Sequence, residues 1–192
     1  MLYAAFSTLM NFSEIEQIPN AKGFGKYGQE LEDCGIQRIR GWRFDYFKID
    51  GAWNSESYPD IVEDPHDSIY ALLVDIPPRV FNSICEQNNI YSGHYKFDYL
   101  NVDSLGREAV VIRLAHPSDS GKPDALTVVK LVENALLSNV DKKYIEDVII
   151  GRANFNKRDS EFFYKEENYS TTAGIAFQFI RDWYAKQKPP TK

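Results

Sequence analysis

The chain predicts an α+β fold, and three observations predict it. Residues 60–102 run as strand, helix, polar loop and strand without interruption; residues 34–49 are dense in aromatic and β-branched side chains; residues 126–150 and 173–187 space their apolar residues as helices do. Strands therefore dominate the earlier part of the chain and helices the later part.

Taken in order, residues 2–6 (Leu-Tyr-Ala-Ala-Phe) read as a buried strand, which Ser7 and Thr8 break. A short helix follows, with Ser13 as its expected cap and Glu16 as the capping-box partner. Residues 23–28 spell G-x-G-x-x-G, but a dinucleotide fingerprint must follow a strand and open a helix. This one follows Pro19-Asn20 and leads into charged residues, so it reads as a loop. Residues 34–49 form a strand pair or one bent strand with Gly41 at the bend. Residues 51–59 are expected as loop and Ile61-Val62 as a short strand. Asp64-Pro65-His66-Asp67 then reads as an Asx-type turn, since a metal site would need three or four converging ligands.

Residues 68–76 are an apolar run bounded by prolines, which predicts a mostly buried strand. Pro77 and Pro78 start a helix, because their fixed φ and missing donor are tolerated in a first turn; Val80, Phe81, Ile84 and Cys85 lie on its inward face. A polar loop leads to a strand at 94–102, in which Tyr95, Phe97 and Tyr99 alternate with polar residues, then a hairpin turn at 103–106 and a return strand at 108–114. Residues 115–125 are rich in Pro, Gly and Ser and read as loop; two helices are expected at 126–137 and 141–150. A last helix at 173–187 carries Ala176, Phe179, Ile180 and Trp183 on one stripe.

The 192 residues, 43% of them hydrophobic, suffice for one well-buried domain and a tail. A net charge of −6 and a pI near 5.1 argue against unassisted nucleic-acid binding. The densest basic run, Arg38 to Arg43, alternates as exposed cations on a strand do. Cys34 and Cys85 form no CxxC pair, which points to a reduced, cytoplasmic setting. The apolar amino terminus has no basic n-region and is too short for a membrane span, so no membrane association is expected. Neither a metal nor a cofactor is expected.

Residues 82–95, NSICEQNNIYSGHY, resemble the segment of γ-glutamyl cyclotransferases in which a helix ends in L-D-x-x-E-G, followed by G-x-Y and a strand. Ile84 stands for the Leu, Cys85 for the Asp, Asn88 for the catalytic Glu, Asn89 for the Gly, and Gly93 and Tyr95 for the G-x-Y pair. Ala5, Phe6, Ser7, Thr8 and Leu9 align with the family's Y-G-S-N-L turn, the expected seat of the substrate carboxylate, with Phe6 in place of Gly. Residues 40–47 are similar to the family's R-L-x-x-F-x-L-x-F strand. Tyr144 matches the second pocket-region Tyr of the helical segment, while the first falls on Thr127.

The resemblance implies a small mixed β-barrel with flanking helices over residues 1–150 and a C-terminal helical extension over 151–192. It also implies ligand contacts from Ala5, Phe6, Ser7, Thr8, Leu9, Gly93, Tyr95 and Thr127. The family reaction closes a γ-glutamyl group on itself to 5-oxoproline and needs a carboxylate as base and then acid. Asn88 is an amide and does neither. Glu86 and Glu63 are the substitutes considered, with Asp64 and His94 behind them.

Three readings follow. The first is a protein that binds a small amino-acid-like or amine-containing ligand, with the standard chemistry lost or altered. The second is an active γ-glutamyl or related amide-cleaving enzyme with a relocated acid. The third is an interaction or regulatory module that associates, with itself or a partner, through the helix at 173–187.

Overall fold

The computed structural model describes residues 1–18, 21, 31–49, 57–87, 90–156, 161–164 and 171–187. Its strands are β1 (Leu2–Ala5), β2 (Glu32–Ile49), β3 (Ser57–Asp75), β4 (Tyr95–Val102), β5 (Arg107–Leu114) and β6 (Pro117–Ser120). They form one mixed sheet in the order β4-β5-β1-β3-β2-β6, curled into a half-barrel and flanked by helices. β1 lies antiparallel to β3 and parallel to β5, and all four of its residues are buried, as expected of a continuous apolar run inside a covered sheet.

β2 and β3 form a long antiparallel ribbon, from Glu32 opposite Asp75 to Lys48 opposite Ser57. Its register slips between the pairs Arg40–Ser68 and Trp42–Glu63, where Gly41, at φ +84°, faces residues 64–67. The Asp-Pro-His-Asp run is therefore a bulge within a single strand and not a turn between two. Its Asx geometry holds, since the His66 N–H donates to Asp64 Oδ1 at 3.0 Å where the ladder is interrupted. Asp67 is taken by Arg152 at 2.7 Å. Two expected loops also yield strand: residues 57–59 open β3, and β6 pairs with the end of β2 as an edge strand, where Pro117 is tolerated.

Of the helices, α1 (Phe12–Glu16) is capped two residues earlier than expected: Asn11 Oδ1 accepts from the Ser13 N–H at 3.1 Å. α2 (Pro78–Gln87) buries Val80, Ile84 and Cys85, while Phe81 meets the rings of Tyr3 and Phe97 at 6.1 and 5.4 Å. α3 (Ala125–Leu137) starts on an Asp124 cap. α4 (Lys142–Tyr144) passes into a π-helical turn over Ile145–Ile150, which helical periodicity alone does not announce. The buried Tyr46 hydroxyl donates to the Ile149 carbonyl at 2.8 Å within that turn.

α5 (Thr171–Gln187) packs on α3 and buries Ala176, Phe177 and Ile180. Phe163 lies 6.2 Å from the Phe177 ring and 5.9 Å from that of Tyr184, so residues beyond 150 join the same hydrophobic core as the sheet. Among the described residues, no helix is long and apolar enough to cross a membrane.

Candidate functional site

At one end of the half-barrel a cavity of about 220 Å³ opens where four strands, a turn and a helix converge. The turn after β1 contributes Phe6, Ser7, Thr8 and Leu9, and the start of β3 contributes Tyr58, Pro59 and Asp60. Tyr95 comes from β4, Ile112 and Arg113 from β5, Thr127 from the first turn of α3, and Tyr3 from β1.

The turn is fastened from both sides. The Met10 N–H donates to the Ser7 carbonyl at 2.9 Å, and α3 reaches across with Asn134 Nδ2 donating to the Thr8 carbonyl and the Ser138 hydroxyl to that of Met10. Among the described residues, only Asn139 and Asn154 are non-glycine residues at positive φ, so Phe6 sits buried in ordinary backbone. A turn that needs no left-handed residue at this position accepts a phenylalanine without strain. The backbone N–H groups of Ser7, Thr8 and Leu9 donate no hydrogen bond among the described residues, which leaves three successive donors beside the cavity.

The same cavity is lined by Asp60, 1% exposed. Its Oδ2 accepts from the Leu114 N–H at 3.2 Å, while Oδ1 is buried without a hydrogen-bond partner among the described residues. Burial pushes its carboxyl up to about 7, against the opposite pull of the Ile61 and Leu114 amides and the charges of Arg113 and Lys96. A buried, half-satisfied carboxylate is costly, and such groups concentrate where a ligand completes them. The phenol of Tyr95 is raised by burial and then by Tyr58 and Asp60, and that of Tyr3 by burial and then by Cys85, so both rings stay protonated near neutrality. The only Lys, Arg or His among the described lining residues is Arg113.

No protein-family model and no curated protein sequence matches the chain. Solved structures do. One described as a γ-glutamyl cyclotransferase superposes with a TM-score of 0.64 at 14% identity, over 93% of this chain and 98% of its own. The chain has a γ-glutamyl cyclotransferase-like fold. An uncharacterized protein from Homo sapiens gives 0.63 at 14% identity, over 92% of this chain and 97% of its own. YkqA from Bacillus subtilis gives 0.60 at 14% identity, over 77% of this chain and 52% of its own.

Within this γ-glutamyl cyclotransferase-like fold, the structure gathers six of the residues singled out in the sequence around one cavity: Phe6, Ser7, Thr8, Leu9, Tyr95 and Thr127. Ala5 is instead buried in β1 opposite Leu72, and Gly93, at φ +83°, lies exposed outside the lining. Asn88 falls outside the described residues. Glu63 and Glu86 do not reach the cavity. Glu63 is exposed opposite Trp42 on the ribbon, three residues from Asp60 and so on the other face of the strand, and Glu86 is exposed on the outer face of α2. Asp64 approaches Arg43 at 3.9 Å, and His94 is exposed. Tyr144 lines a separate groove and packs edge-on against Tyr70 at 4.9 Å.

The sequence reading missed Tyr3, Tyr58, Asp60 and Arg113. Two of them carried a signal: Asp60 within Tyr-Pro-Asp-Ile-Val and Arg113 within Val-Val-Ile-Arg-Leu are lone charges in apolar strand runs, a pattern that costs stability unless the charge has work to do.

Proposed function

We propose that the cavity binds a small γ-glutamyl compound and that the chemistry is altered rather than lost, with Asp60 as the acid and base. The observation that carries this reading is the buried Asp60 carboxyl in the cavity wall, raised to about 7, with one oxygen unpartnered among the described residues. In this reading the carboxylate of the γ-glutamyl group sits on the backbone N–H groups of Ser7, Thr8 and Leu9, and its ammonium faces Asp60. Ionised Asp60 takes a proton from the ammonium. The freed amine attacks the side-chain amide carbonyl, the new C–N bond closes a five-membered lactam, and the bond to the leaving nitrogen breaks. Protonated Asp60 returns its proton to that nitrogen, so one residue serves both steps. Thr127 and the phenols of Tyr3 and Tyr95 offer hydroxyls to the polarised carbonyl oxygen. The likeness in fold to a protein described as a γ-glutamyl cyclotransferase supports the choice of reaction.

Incubation of the pure protein with γ-glutamyl amines and γ-glutamyl dipeptides, with 5-oxoproline as the readout, tests the proposal. Turnover that falls about 10² to 10⁴-fold in Asp60→Asn, and survives in Glu63→Gln and Glu86→Gln, is the expected result. Turnover indifferent to Asp60→Asn would remove Asp60 from the chemistry, and ligand binding without any 5-oxoproline would return the protein to the class of binders.

A further inference from the structure

We infer that Arg113 is a second anion-reading residue of the cavity, which favours ligands whose far half, beyond the scissile amide, carries its own carboxylate. The inference rests on the reading above, in which the near half is already held by the Ser7–Leu9 turn and Asp60.

Three features of Arg113 carry it. Its side chain is only 11% exposed and lines the same cavity as Asp60. Its guanidinium is fixed before any ligand arrives: Nε and Nη2 lie 2.7 and 2.6 Å from the same oxygen, Asp98 Oδ2, and the group stacks over the Trp42 ring at 5.3 Å. Nη1 donates no hydrogen bond among the described residues, while the other Asp98 oxygen is occupied by the Tyr99 N–H at 2.9 Å. Asp98 thus holds one edge of the guanidinium and leaves donors on the other unused. A buried Arg with spare donors, held rigid at the wall of a small polar cavity, is preorganised for a carboxylate at little entropic cost.

The volume agrees with this assignment. About 220 Å³ lies below the range of drug-sized pockets, roughly 300 to 1,000 Å³, and suits an amino-acid unit with a short leaving group. The Ser7–Leu9 donors and Arg113 come from different elements, the β1–α1 turn and β5, so a ligand with two separated carboxylates meets both.

A matched pair of ligands isolates the effect. γ-Glutamylalanine and γ-glutamylethylamine differ by one carboxylate on the leaving group. Calorimetric affinities are measured in Asp60→Asn, where turnover does not consume the ligand, and kcat/KM is measured for both compounds in the native protein. The expected result is a preference of about tenfold or more for γ-glutamylalanine, since hydrogen bonds to charged groups are worth that much. The preference should collapse in Arg113→Gln and shrink in Arg113→Lys, which keeps the charge and loses the fork. Lys at this position retains a cation over Trp42, so it guards against a variant that merely fails to fold. Equal affinities for the two compounds, or a preference that survives both substitutions, overturns the inference. Failure of Asp60 as acid and base would show instead as turnover persisting in Asp60→Asn, whatever the ratio between the two ligands.

Discussion

At the scale of single residues, Asp60 ties function to stability. Burial raises its carboxyl from an ordinary 3.8 to about 7, so the folded chain holds a proton that the unfolded chain releases near pH 4. Between those values the native state binds more protons, and stability contributed by this site falls as pH rises from about 4 to about 7. Above pH 7 the full penalty is present, about 4 kcal/mol for a rise from 3.8 to about 7. Asp60→Asn removes that slope. Its stability relative to the native protein should improve by roughly 2–3 kcal/mol between pH 5 and pH 8, read as the change in denaturation midpoints at the two pH values. Activity runs the other way, because the base must be ionised: kcat/KM should rise through pH 7 with an inflection near it. A flat profile from pH 6 to 8 would leave Asp60 without its role.

At the scale of elements, the β2–β3 ribbon depends on one glycine and the π-helical turn on one hydroxyl. Gly41 holds φ +84° opposite the 64–67 bulge, and an added Cβ would meet nothing within 4 Å, so the cost of Gly41→Ala is that of the backbone conformation alone. About 1–2 kcal/mol is expected, as a lowered denaturation midpoint with an unchanged m-value. Tyr46→Phe deletes the donor to the Ile149 carbonyl in the fully buried interior. It should cost about 1–3 kcal/mol, with faster amide exchange concentrated in residues 145–153. Exchange that quickens uniformly across the sheet would show that the hydroxyl does not pin the turn. The Asx-type bond at Asp64 was legible because it is local; its placement inside a continuous strand was not, because only pairing with β2 continues the chain as strand through the bulge.

At the scale of the whole molecule, the C-terminal helix belongs to the core. Ala176, Phe177 and Ile180 are buried in the same cluster as the sheet, Phe162 and Phe163 pack on Phe177, and Tyr184 stacks on Phe163. Phe177→Ala should cost about 3–5 kcal/mol, measured by chemical denaturation. Truncation after residue 170 should uncover α3 and abolish cooperative unfolding. A truncated chain with unchanged stability and lower mass at high concentration would instead mark α5 as an association surface. The apolar stripe that suggested such a surface in the sequence is the same stripe that packs on the core: Ala176 and Ile180 are buried, Phe179 and Trp183 pack against the cluster, and Phe177 joins them beside the stripe.

The amino-acid sequence by itself determined most of the elements and their order: the buried first strand, the aromatic strand bent at Gly41, the proline-started helix, the β4–β5 hairpin and the late helices. It also placed Phe6, Ser7, Thr8, Leu9, Tyr95 and Thr127 among the residues to watch. These are short-range properties, written in side-chain spacing and turn chemistry. Only the tertiary structure decided which charges share the cavity. Asp60 and Arg113 are far apart in the chain and meet because the sheet order folds β3 and β5 around β1, while Glu63, three residues from Asp60, lies on the other face of β3 and does not line the cavity.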